Sequence, residues 1–183
     1  MDQLIKKLIS EIIIENSEVI NIALRSRNKF EGWLKFELAS KLEKEGFSDV
    51  FVETPYERRK DRYDLSFFNN NDCYYIELKT PNTNWNINGI KKCTRPITKN
   101  IDSIITDTKK LNSNNGIVAF VLFPLPKNCN KWHLYFNRIK NNCDLEIEVE
   151  KNCNRININF DDQNNSCDLI VCSYFSKNYN NWF

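Results

Sequence analysis

The chain has 183 residues, of which 41% are hydrophobic and 13% aromatic, and this composition excludes an intrinsically disordered protein. The formal net charge of +2 is too small to identify a partner by itself. The four glycines form no glycine-rich phosphate loop, so a P-loop or dinucleotide-binding fold is not expected. We expect a single domain over residues 1–183.

The cysteines and the N-terminal segment indicate the cellular compartment in which we expect the protein. The seven cysteines are scattered, and no CxxC pair or Cys/His cluster has the spacing of zinc ligands. Near the N-terminus, apolar residues are interrupted by Lys6, Lys7 and Glu11, which predicts an amphipathic helix and neither a signal peptide nor a membrane span. We therefore expect a cytoplasmic protein with free thiols and no membrane contact.

Three helices are predicted in the first part of the chain. Residues 3–14 and 17–25 form the first two. For the third, Asn28 and Glu31 have the spacing of a capping box, and Gly46 is well placed to end the helix. The capping box accounts for the carboxylate of Glu31.

A second acid, Glu37, falls inside the apolar stripe of the third helix. A carboxylate that points toward a core needs a compensating charge or a metal, because leaving it unpaired costs several kcal/mol. The alternative is that Glu37 lies at the edge of the stripe and reaches solvent or a lysine. The stripe consists of Phe30, Trp33, Leu34, Leu38 and Leu42.

A predicted strand over residues 49–54 ends at Pro55 and is followed by a basic run. This run lies directly before Asp64, so it could contact phosphates at the mouth of a site. It could also be an ordinary solvated turn. Its members are Arg58, Arg59, Lys60 and Arg62.

The segment from Arg62 to Thr80 is predicted to form two short strands joined by an Asn-rich turn. Glu77 and Lys79 are two residues apart, so they share one face of the second strand. Asp64 lies on the first strand. Because paired strands hold such side chains a few ångströms apart, we expect these three residues to form a seat for a divalent metal.

After Lys79, the polar segment 81–95 is predicted to be a loop over the site, and it carries Lys91 and Lys92. A helix that opens near Pro96 and a strand that begins at Gly116 complete a strand, helix, strand order. This order predicts a crossover and a parallel pair of strands.

Beyond residue 124 the pattern predicts further strands. Residues 131–139 alternate, residues 145–150 and 155–160 look like a hairpin, and residues 167–175 form a last strand. His133, inside the first of these, is interpreted as a packed or surface histidine. We expect specificity or oligomerisation to reside in this region.

Asp64 and Glu77 supply hard oxygen ligands of the kind that suit Mg²⁺ or Mn²⁺. Lys79 would then orient a water and stabilise the negative charge of a phosphorane-like transition state. Together these groups indicate phosphodiester hydrolysis. Glu37 could hold a second metal or a water, and the number of metals stays open.

The order of helix acid, Asp and E-x-K over residues 28–123 resembles the PD-(D/E)xK nuclease superfamily, although Tyr63 replaces the Pro of the motif. The resemblance implies a restriction-endonuclease-like α/β fold, a central mixed sheet flanked by helices, with N-terminal helices over 1–27 and additional strands over 124–183. It further implies DNA cleavage with Mg²⁺, a cation at Lys99 that contacts phosphate, and a possible homodimer.

Three alternatives to a DNA nuclease remain. Glu77 and Lys79 could belong to a cross-strand surface salt-bridge set. The fold could be a catalytically silent nucleic-acid-binding or assembly module. The enzyme could also be directed at RNA.

Overall fold

The computed structural model describes residues 1–55, 62–111, 113, 115–160 and 165–177. Within them the fold is mixed α/β, with six helices that flank a six-stranded sheet, as the sequence predicts. The helices are α1 (Asp2–Glu15), α2 (Ser17–Ser26), α3 (Glu31–Lys44), α4 (Ile97–Lys110), α5 (His133–Cys143) and α6 (Val149–Asn152). The strands are β1 (Ser48–Pro55), β2 (Arg62–Asn69), β3 (Asp72–Lys79), β4 (Gly116–Leu125), β5 (Cys153–Asn159) and β6 (Ser166–Phe175).

The strand order is β1-β2-β3-β4-β6-β5. β1, β2 and β3 form an antiparallel meander, whereas β3 and β4 are parallel and are joined through α4. The predicted crossover is therefore confirmed. β6 pairs antiparallel with β4 on one side and with β5 on the other.

The central strand β4 divides two hydrophobic cores. All of its residues are buried, as expected of a strand that is covered on both faces. Ile117 and Ala119 pack in the core that α1, α2 and α3 cover, whereas Val118 and Phe120 pack in the core that α4 and α5 cover. Because side chains alternate along a strand, α3 and α4 lie on opposite faces of the sheet.

The start of α3 differs from the prediction. The N-cap is Phe30, and no side chain caps this end of the helix. The backbone N–H of Asn28 donates to Ala23 O at 3.0 Å, and Glu31 accepts a hydrogen bond from the N–H of Thr80. The predicted capping box is therefore wrong, and Glu31 has another role.

The predicted strand over 131–139 is wrong, because this segment forms α5. Trp132, Phe136 and Ile139 are buried, and their separations of four and three residues fit one face of a helix. Leu134, which strand alternation would bury with Phe136, is 68% exposed. The apolar residues of this short segment fit both the two-residue period of a strand and the spacing of a helix, and the segment forms a helix.

The predicted hairpin between residues 145–150 and 155–160 is also wrong. Leu145 and Ile147 are buried, yet they precede the single turn α6 and lie outside the strands. β5 pairs with β6 instead. The alternation of apolar and polar residues in this segment reflects burial of one side of the chain, and it does not indicate pairing with a neighbouring strand.

None of the helices in the described part of the chain combines the length and apolar character needed to cross a bilayer. The longest of them, such as α1, have 14 residues.

Candidate active site

The end of the β2–β3 ladder brings Asp64 to the E-x-K segment. The last pair toward this end is Leu65 with Ile76. Beyond it, Asp64 Oδ2 accepts a hydrogen bond of 2.7 Å from the backbone N–H of Leu78, the residue between Glu77 and Lys79. Because a side chain bonds this N–H, Asp64 is held against β3. The carboxylate-bearing residues 64 and 77 are both more than nine-tenths buried.

Lys79 lies between helices from opposite faces of the sheet. Its Nζ is 3.8 Å from Glu31 Oε1 on α3 and 3.4 Å from Asp107 Oδ2 on α4. Burial alone would lower the pKa of Lys79, but the charges of Glu31, Asp107, Asp64 and Glu77 outweigh it and raise the pKa above its ordinary value. Lys79 therefore stays protonated at neutral pH.

A second lysine, Lys35 on α3, joins Asp64 to β1. Lys35 Nζ donates to Asp64 Oδ1 at 3.1 Å and also donates to Glu53. Burial opposes the charge on Lys35, but Glu53 and Asp64 leave its pKa above the ordinary value. Glu53 has a φ of 59°, a left-handed conformation that non-glycine residues rarely adopt within a strand. Strained backbone of this kind concentrates at functional sites.

Glu31 is the acid whose ionised form the surroundings disfavour. Burial raises its pKa, Lys79 opposes the rise, Asp64 adds to it, and the net pKa lies above the ordinary value. The N–H of Thr80 donates to Glu31 Oε2 at 3.3 Å. The carboxylate is thus fixed in place next to Lys79.

We call these residues the acid–lysine cluster. It contains five carboxylates and two ammonium groups, from five different helices and strands. Arg62 adds a positive charge beside Glu53 at the exposed edge. Carboxylates are therefore in excess even when Arg62 is counted, and an excess of negative charge favours a bound cation. The members are Glu31, Lys35, Glu53, Asp64, Glu77, Lys79 and Asp107.

The cluster offers two carboxylates at the E-x-K segment and no complete metal cage. Nowhere in the described ranges do three or more His, Cys, Asp or Glu side chains converge as a metal-binding group. Mg²⁺ is ordinarily bound by one or two carboxylates, and water and substrate phosphate complete its coordination. Asp64 and Glu77 are two carboxylates of this chemical type.

Glu37, the predicted helix acid, lies elsewhere. At about 100° per residue, position 37 is separated around α3 by roughly 120° from Glu31 and by about 160° from Lys35. Glu37 is half-buried, but Glu31 and Lys35 are the α3 residues that contact Lys79 and Asp64. The sequence predicted Glu37 because it adjoins Leu38 in the apolar stripe.

Seven basic residues were predicted to contact nucleic acid. Arg58, Arg59 and Lys60 lie outside the described residues. The other four are exposed: Arg62 at the start of β2, Lys91 and Lys92 in the segment between β3 and α4, and Lys99 in the first turn of α4.

The sequence analysis missed Glu31, Lys35, Glu53 and Asp107 as members of one site. The sequence contained a signal for three of them. Glu31 and Lys35 are four residues apart and share a helix face, and Asp107 follows Ile104 by three residues on the buried side of α4. Glu53 gave no signal, because its place depends on the register of β1 and on its backbone conformation.

No protein-family model matches the chain, and comparisons with curated proteins and with solved structures found no significant match. The likeness to PD-(D/E)xK nucleases therefore depends on the motif residues and on the order of the elements around them.

Proposed function

We propose that this protein is a metal-dependent nuclease that hydrolyses phosphodiester bonds at the acid–lysine cluster. One observation carries the proposal. Asp64 is hydrogen-bonded to the peptide N–H between Glu77 and Lys79, within a cluster in which carboxylates outnumber cations. An acid pair beside a partly buried lysine is a set of groups that supports metal-dependent phosphodiester hydrolysis.

Asp64 and Glu77 would hold Mg²⁺ or Mn²⁺. When bound, the metal lowers the pKa of a coordinated water and offsets negative charge on the phosphate. In the hydrolysis, the water gives up a proton to solvent as its oxygen bonds to phosphorus, the bond from phosphorus to the leaving sugar oxygen breaks, and that oxygen takes up a proton from solvent. Lys79 stabilises the charge that accumulates on the phosphate oxygens.

The neighbouring residues keep this machinery in position. Glu31 and Asp107 hold the ammonium group of Lys79 between them, and Lys35 holds the second oxygen of Asp64. Fixed charges contribute more to catalysis than mobile ones, because they need no reorganisation during the reaction. We therefore expect Glu31, Asp107 and Lys35 to affect the rate by orienting the two central residues.

The substrate is proposed to be nucleic acid, with DNA favoured by the resemblance to PD-(D/E)xK nucleases. The stretch from Leu78 to Ile101 carries five lysine and arginine residues and no Asp or Glu. A basic stretch that adjoins an acidic cluster would bind the phosphate backbone while the acids bind the cation. A panel of duplex, single-stranded, branched and RNA substrates distinguishes DNA from RNA.

The test is cleavage of plasmid DNA in Mg²⁺ or Mn²⁺, with EDTA as the metal-free control. We expect Asp64→Asn, Glu77→Gln and Lys79→Ala each to lower the rate by about 100-fold or more, with an unchanged circular dichroism spectrum. Glu37→Gln, on the same helix as Glu31 but outside the cluster, should retain the rate within about twofold. Equal activity of wild type and all three site variants would refute the assignment.

A second candidate is a catalytically silent nucleic-acid-binding module. The ion pairs of the cluster favour this candidate, because Lys79 contacts two acids and Asp64 contacts Lys35. Such contacts also occur in purely structural networks. Binding of DNA without cleavage in either metal would support this candidate, and cleavage abolished by EDTA would exclude it.

A further inference from the structure

The segment between β3 and α4 is long, and several hydrogen bonds hold it against the rest of the protein. It begins directly after Lys79, ends at Pro96, and contains no helix or strand apart from an isolated bridge between Asn82 and Phe123. Connections of this length without secondary structure are uncommon and are often functional. Lys91 and Lys92 are exposed on it. We call residues 81–95 the basic segment.

Arg27 is the residue that holds the basic segment. It ends α2 in a left-handed conformation, and it is only 8% exposed. Its Nε donates to Lys91 O, its Nη1 to Thr83 O and its Nη2 to Trp85 O. A guanidinium group presents these donors in one rigid plane, so a single side chain fixes three points of the segment.

Other contacts dock the same segment onto the end of α2. Asn82 Nδ2 donates to Arg27 O at 2.9 Å, and the N–H of Lys91 donates to Arg25 O at 3.0 Å. At the other side, the N–H of Thr83 donates to Phe123 O at 2.7 Å. The segment is therefore fixed to both α2 and β4, immediately after the lysine of the acid–lysine cluster.

A buried guanidinium is an unusual choice for this task. Its three acceptors are neutral carbonyl oxygens, which offset the loss of hydration of a charged group only in part. The desolvation cost of burying Arg27 is consistent with a function that depends on the position of the basic segment. Fixing the segment in the free protein lowers the entropy lost when its lysines bind a ligand.

We propose that Arg27 is a positioning residue for the substrate, which holds the basic segment so that Lys91 and Lys92 contact phosphates of a nucleic acid bound at the acid–lysine cluster. The inference depends on the proposed function. Arg27 itself is buried and does not touch the substrate. Its removal therefore weakens binding through the two lysines and leaves the reacting groups in place.

The experiment compares Arg27→Gln with Arg25→Gln. Arg25 is exposed two residues earlier in α2 and loses the same charge, while its backbone carbonyl, the acceptor for Lys91, is retained. We expect Arg27→Gln to raise KM and the Kd for a labelled DNA duplex about tenfold, with kcat within about twofold. Arg25→Gln should change each value less than about twofold.

A double-mutant cycle separates positioning from general destabilisation. In a Lys91→Gln/Lys92→Gln background, the effect of Arg27→Gln on Kd should largely disappear, because the groups that it positions are gone. An undiminished effect in that background would overturn the proposal. So would a Kd for Arg27→Gln equal to that of wild type.

Limited trypsin digestion tests the clamp without any reference to DNA. Arg27→Gln should be cut after Lys91 or Lys92 at least several times faster than wild type and Arg25→Gln, at a temperature at which all three proteins are folded. If Arg27→Gln does not fold, Arg27→Lys keeps the charge and replaces only the planar donor set. Resistance equal to wild type in the folded variant refutes the clamp. Faster digestion with no DNA binding by wild type refutes the proposed function alone.

Discussion

Two buried acidic sites lie on the same sheet, and they differ in charge balance. At the β5–β6 end, Asp168 is 2% exposed and accepts hydrogen bonds from the N–H of Asn128 at 2.7 Å and from Asn157 Nδ2 at 2.8 Å. Arg155 lies 3.4 Å from it. One acid thus has one cation and two neutral donors, and it anchors the turn after β4.

The acid–lysine cluster at the β2–β3 end has the opposite character. Carboxylates exceed cations, and Asp107 Oδ2 is buried without a hydrogen bond, although Lys79 is 3.4 Å away. Glu31 has a raised pKa because burial disfavours its charge. The site of Asp168, by contrast, has one cation and neutral donors for its one acid. The two sites therefore differ in charge balance and not in the presence of a buried acid, and the unbalanced site is the candidate functional site.

The largest expected difference is in stability. Asp168→Asn should lower the free energy of unfolding by about 3 kcal/mol. The new amide NH₂ group would face one of the N–H groups that now donate a hydrogen bond to the Asp168 carboxylate. Asp107→Asn should change it by less than about 1 kcal/mol, since it removes one of the excess negative charges. Urea denaturation followed by tryptophan fluorescence measures both values. Equal losses would abolish the distinction between the two sites.

A smaller effect should appear in the pH dependence of Glu31→Gln. In wild type, the raised pKa of Glu31 means that its charged form destabilises the fold at pH values above the folded-state pKa. Below the ordinary pKa of about 4.3 the group is protonated in both states, and this penalty is absent. Glu31→Gln should therefore be more stable than wild type at pH 8, as measured by urea denaturation.

The gain should shrink as the pH falls toward 4. Glu37→Gln, on the same helix but outside the acid–lysine cluster, is the matched control variant. A Glu31→Gln variant that is less stable than wild type at pH 8 would show that its ion pair with Lys79 outweighs the cost of burial.

Much of the fold could be predicted from local pattern. The hairpin of β2 and β3, the helix α4 and the apolar strand β4 each have one dominant period, and the parallel β3–β4 pair follows from their order. The C-terminal errors arose where the period was ambiguous. Residues 131–139 fit both a strand and a helix, and Leu145 and Ile147 are buried without a partner strand.

The candidate site was predictable only in part. Asp64, Glu77 and Lys79 are close in sequence, so the pairing of two strands was enough to bring them together. Glu31 and Asp107 come from helices on opposite faces of the sheet, and their approach to Lys79 depends on tertiary packing. No local pattern contains that information.

The most direct test of the account is a titration of the protein with Mn²⁺, followed by the electron paramagnetic resonance signal of the free ion. We predict one saturable site with a Kd on the order of 0.1–1 mM, which is lost in Asp64→Asn and in Glu77→Gln and retained in Glu37→Gln and Asp168→Asn. Absence of binding to wild type, or equal binding by the Asp64 and Glu77 variants, would contradict the claim that the excess acids at the β2–β3 end hold a cation.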